Sequence, residues 1–119
     1  GEITDPQVAP MQKKCRNGRI MSFDAYAFDE SDKSVVLISN DFVDDINGVL
    51  TRTQIEQYKQ RMINFLQEAY DEKLNQYFDM TDSLLFTGRD IGRRMHVDYI
   101  KLDDDTSIDK VKLIIVIKD

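Results

Sequence analysis

Phe23-Asp24-Ala25-Tyr26-Ala27-Phe28-Asp29-Glu30, followed after a polar break by Val35-Val36-Leu37-Ile38-Ser39-Asn40-Asp41-Phe42, is the stretch that decides the fold. Both halves are rich in aromatic, aliphatic and β-branched residues, which fit a pleated, partly buried surface. The residues between them, up to Ser34, are turn formers. Together they predict an antiparallel hairpin from about Arg19 to Phe42. Alternation along the first strand puts Ser22, Asp24 and Tyr26 on one face and Phe23, Ala25 and Ala27 on the other. On the second strand Ser39 and Asp41 share a face. A register in which Phe28 faces Val35 sets Asp24 opposite Ser39 and diagonal to Asp41. An acid inside a strand must reach solvent, find a partner or serve a site, so Asp24 stands out.

Downstream, Asn47-Gly48 marks a turn, and Thr51 with Gln54 three residues on forms a capping box. Leu50 and Ile55 supply the accompanying hydrophobic staple. Ile55, Tyr58, Met62, Phe65, Leu66 and Ala69 then recur at helical spacing. This predicts an amphipathic helix from about Arg52 to Tyr70, packed on a sheet through one side. A second helix is expected within Thr81 to His96. The continuous apolar run Val111 to Ile117 reads as a strand buried on both faces. Upstream, residues 1–17 hold both prolines, Pro6 and Pro10, and show no useful periodicity, so they read as an extended arm or loop. Residues 18–119 read as a single α/β domain: a small mixed sheet with an N-terminal antiparallel hairpin and flanking helices.

The chain has 119 residues, with 41% hydrophobic and 32% charged residues, the composition of an ordinary folded domain rather than a disordered segment. Its apolar runs are far too short to span a membrane. Its one cysteine, Cys15, excludes an intrachain disulfide and fits a reducing, cytoplasmic setting. A net charge of −6 argues against broad nucleic-acid binding by the isolated domain. Lys13, Lys14, Arg16 and Arg19 crowd the arm and read as solvated charge.

No complete catalytic motif is present. One Cys and one His, His96, cannot make a usual structural zinc set. Thr87-Gly88-Arg89-Asp90-Ile91-Gly92 lacks the Gly-Lys-Ser/Thr ending of a phosphate loop. The acids remain, because carboxylates hold hard cations such as Mg²⁺. Asp24, Asp41, Asp44 and Asp45 are the weak metal candidates, and Asp103-Asp104-Asp105 reads as a polar connection.

The hairpin, the Ser39-Asn40-Asp41-Phe42 strand end and the Leu50-Thr51-Arg52-Thr53 helix start resemble the N-terminal region of bacterial abortive infection phage resistance (AIPR) proteins. That resemblance covers about residues 19–118 and implies a module of a longer antiphage defence protein, acting through protein or interdomain contacts. The same hairpin is similar to the core of restriction-endonuclease-like proteins, in which an Asp and a following D/E/Q-x-K hold Mg²⁺ and activate water. Here Asp24 matches the first acid, Ser39 stands at the metal-ligand position and Asp41 replaces the lysine. The degenerate-site candidates are therefore Asp24, Ser39 and Asp41, with no cofactor expected. A metal-dependent nuclease with an unorthodox acidic site, using Mg²⁺, and a free-standing protein-binding domain are the alternatives.

Overall fold

The computed structural model describes residues 5–42, 51–96 and 106–118. Four strands form one sheet in the order β1 (Gln7–Lys14), β2 (Ile20–Asp29), β3 (Ser34–Phe42) and β4 (Lys110–Lys118). The first three are antiparallel and β4 runs parallel to β3, so the sheet is mixed. A parallel neighbour requires a long crossover. It carries α1 (Arg52–Tyr70) and α2 (Ser83–Arg94).

The hairpin forms with Phe28 opposite Val35, as expected. The predicted faces of β2 hold only in part. Met21 and Phe23 lie in the core, and Tyr26 and Phe28 pack against the same core, so the alternation slips between Phe23 and Tyr26. Pairing of β2 with β3 ends at Ala25 and Ile38. One step further, Asp24 Oδ2 accepts the backbone N–H of Asn40 at 2.7 Å. A side-chain oxygen thus takes an amide at the point where the ladder stops. Beyond it β2 continues with β1 to Ile20, whereas β3 continues with β4 to Phe42. The sheet forks.

The expected arm is extended in a stricter sense. Gln7–Lys14 pairs along β2, and Met11 and Cys15 are buried. A register shift falls between Val8 and Met11, around Pro10, and an edge strand tolerates proline at such an irregularity. The arm's basic residues are engaged. Arg16 binds Glu68 Oε1 through Nε at 2.9 Å and reaches Asp71 Oδ2 at 2.5 Å, while Lys13 Nζ lies 5.0 Å from the Phe78 ring centroid. Burial pushes the Glu68 carboxyl up, but hydrogen bonds from Tyr77 and Arg16 outweigh it and hold the group below its ordinary pKa. The Arg16 clasp therefore fastens the β1–β2 arm to the end of α1.

α1 begins at the predicted capping box: Thr51 Oγ1 accepts from Gln54 N, and Gln54 Oε1 accepts from Thr51 N. Leu50 and the Asn47-Gly48 turn lie outside the described residues. Met62 and Phe65 are buried while Ile55 is half-buried, so the apolar stripe meets the sheet chiefly through its second half. Phe65 packs edge-on against Phe23, ring centroids 4.8 Å apart. α2 crosses α1 through glycines. A Cβ at Gly88 would come within 2.2 Å of a Leu74 methyl, and one at Gly92 within 2.1 Å of the Ala69 carbonyl oxygen. Those glycines set helix separation, which accounts for the superficial look of a phosphate loop.

The last strand departs from expectation. β4 is an edge strand, and only Leu113 and Ile115 pack on the core, while Val111, Ile114 and Ile117 are exposed. Lys110, Lys112 and Lys118 punctuate it, as lysines do on strand edges that must resist pairing with other chains. Val8, Met80 and Phe86 are exposed as well, whereas Phe78 is buried and Tyr77 packs against the core.

Candidate functional site

The fork opens a cleft of about 360 Å³. Ser22, Phe23 and Asp24 line one arm, with Pro10, Met11 and Gln12 of β1 beside them. Ser39 and Asn40 line the other arm, and Tyr58 and Arg61 reach in from α1. Their spacing on α1, three residues apart, turns both toward the same neighbour. The structure thus brings Asp24 and Ser39 to the same cleft from its two arms.

Asp41 joins through α1. Burial, and next the Asp41 carboxylate, hold the Tyr58 phenol above its ordinary pKa. Asp24 and Arg61 also act on Tyr58 electrostatically, with opposite signs. Ser39 is 2% exposed, and its Oγ has no hydrogen-bond partner among the described residues. Buried hydroxyls are nearly always paired, so this one calls for a cause.

Asp44, Asp45 and Asp103 to Asp105 lie outside the described residues. Among the described residues no group of three or more His, Cys, Asp and Glu side chains is placed to hold a metal ion. Cys15 and His96 have separate settings. Burial, then the Glu68 charge, pushes the Cys15 thiol up. His96 stacks on Tyr70 at 4.1 Å between ring centroids and lies 2.8 Å through Nε2 from the Tyr70 carbonyl oxygen. Neither has the polarised, accessible setting of a nucleophile and base pair.

Tyr58 and Arg61 were not singled out by sequence reasoning. Tyr58 counts there only as one member of an apolar stripe. The available signal was the mixed character of this turn of α1: a phenol and a guanidinium three apart, above a strand that ends in Ser-Asn-Asp.

A four-stranded mixed sheet with two helices on its crossover and a polar cleft at its fork defines a small α/β domain. Residues 1–116 match the family described as the abortive infection phage resistance protein N-terminal domain, and the chain belongs to that family. Its setting is therefore phage resistance by abortive infection, a form of antiviral defence. No curated protein and no solved structure matches the chain. Among the described residues no helix is long and apolar enough to cross a membrane.

Proposed function

We propose that this domain is a non-catalytic, nuclease-like module of a cytoplasmic bacterial antiphage protein, acting through protein or interdomain contacts and needing no cofactor. The observation that carries the reading is Asp41. A restriction-endonuclease-like site needs a lysine there to stabilise charge at the reacting phosphate, and this chain has an acid whose charge acts on Tyr58. Reversing the charge beside a phosphodiester repels the substrate instead of binding it. Ser39 in turn offers a neutral hydroxyl where a metal-binding carboxylate or amide belongs. The exposed apolar residues of β4 supply a surface for contacts.

The alternative is a Mg²⁺-dependent nuclease built on Asp24 and Asp41, with Asp44 or Asp45. It draws support from the nearness of Asp24 and Asp41 to the same Tyr58 hydroxyl. The test is cleavage of single- and double-stranded DNA and RNA in Mg²⁺ or Mn²⁺ by the chain and by Asp24→Ala and Asp41→Ala. No cleavage by any of them is expected. Cleavage lost in both variants would replace the proposal with the alternative.

A further inference from the structure

The fork cleft holds charges of both signs around an unsatisfied hydroxyl. Asp24 gives Oδ2 to the Asn40 amide, and its other oxygen has no hydrogen bond among the described residues. Arg61, half-buried on α1, makes no ion pair among the described residues. Ser39 Oγ is buried on the opposite arm without a partner among the described residues. The cleft of about 360 Å³ is far larger than a single ordered water needs. Space on that scale, with a few converging polar groups, is the size of a small-molecule site.

The charges narrow the ligand class. A simple anion drawn to Arg61 would meet the carboxylates of Asp24 and Asp41. A simple cation drawn to those carboxylates would meet Arg61. A dipolar molecule satisfies both, provided its ammonium faces Asp24 and its carboxylate faces Arg61. Met11 and Phe23 form an apolar wall beside the polar groups, suited to an aliphatic or aromatic body. We propose that the fork cleft binds a small zwitterion of the α-amino acid class with an apolar side chain. This goes beyond the non-catalytic reading and does not depend on it, since a ligand can bind whether or not a nucleic acid is cut.

The experiment is isothermal titration calorimetry on the whole chain in EDTA, which keeps any metal-dependent chemistry out of the readout. The probes are L-leucine, L-methionine and L-phenylalanine. Phenethylamine lacks the carboxylate, 3-phenylpropionate lacks the ammonium, and AMP represents a nucleotide. Saturable binding of at least one of the three amino acids is expected, with none by either half-molecule. Arg61→Gln and Asp24→Asn should each weaken it tenfold or more, and Arg61→Lys should restore part of the loss. The carboxamide introduced by Asp24→Asn can still accept the Asn40 amide, and Arg61 lies on a helix surface, so circular dichroism should show both variants folded. Should Asp24→Asn fail to fold, Arg61→Gln carries the test. Absence of binding by all three amino acids overturns the proposal, as does binding unchanged in Arg61→Gln. Saturable binding of AMP without the amino acids also overturns it, assigning the cleft to nucleotides.

Discussion

Ser34 and Ser39 stand on the same strand, each 2% exposed, and their surroundings could hardly differ more. Ser34, at the turn end of β3, donates to Asp32. Around it Asp29, Asp32 and Lys112 are matched: Lys112 Nζ reaches Asp29 Oδ2 at 2.9 Å and Asp32 Oδ2 at 2.7 Å, and Ser31 Oγ donates to Asp29 at 2.6 Å. Ser39, at the fork, has no partner, and the Arg61 cation beside it has no ion pair among the described residues. Both ends draw on Asp, Ser and a basic residue. The turn end uses them up in holding itself together, whereas the fork keeps a surplus of binding capacity. Composition alone therefore does not separate a structural cluster from a site; the count of unspent hydrogen-bonding groups does.

The comparison breaks first at what the two ends share. Phe65 lies under the sheet, 1% exposed and packed on Phe23, so Phe65→Ala should cost about 3–5 kcal/mol and loosen the fork with the core. Urea denaturation checks this, and a loss below about 1 kcal/mol would show that α1 is not the floor of the sheet. Ser34→Ala removes a satisfied hydroxyl and should cost about 1 kcal/mol by the same measurement.

The turn end also titrates. Hydrogen bonds from Ser31 and then Lys112 lower the Asp29 carboxyl from 3.8 to about 2. A folded-state pKa below the unfolded value gives stability that is fully present above the ordinary carboxylate range and is lost as pH falls through about 2. Asp29→Asn should flatten the fall in melting temperature between about pH 4 and pH 2, and an unchanged acid profile would contradict the assignment. The smallest effect is expected at Ser39. Removing an unpaired hydroxyl forfeits no hydrogen bond, so Ser39→Ala should leave stability within about 0.5 kcal/mol of the parent or raise it. A loss matching that of Ser34→Ala would erase the contrast between the ends.

Much of this architecture could be read from the residues. The Thr51 and Gln54 side chains announce the start of α1, and its stripe gives its length, because capping and helical period are local properties. The hairpin follows from β-rich runs around a polar turn, whereas a loop of that length does not fix the pairing, and the Phe28–Val35 register is settled by the structure. β1 escaped notice because Pro10 and the register shift beside it destroy the alternation that identifies a strand. The exposure of β4 was hidden for a different reason: a β-branched run looks the same whether it lies centrally or at an edge, and only strand order decides. At the site, Asp24 was visible as an acid interrupting a strand, and Ser39 and Asp41 through the resemblance to a nuclease motif. Tyr58 and Arg61 were not, since their role depends on which turn of α1 lies over the fork.

The parallel pairing of β3 with β4 also has a kinetic side. Ser34 meets Lys110 and Phe42 meets Lys118, contacts that close only after both helices have been traversed. Pairings so distant in sequence form late, because the entropy of closing the intervening chain must be met before any ladder forms. Until β4 docks, Val35, Val36 and Leu37, all fully buried in the finished sheet, sit on an open edge. Folding of this domain should therefore be paced by the arrival of its last strand, and that interval is when a neighbouring chain can most readily take the place of β4.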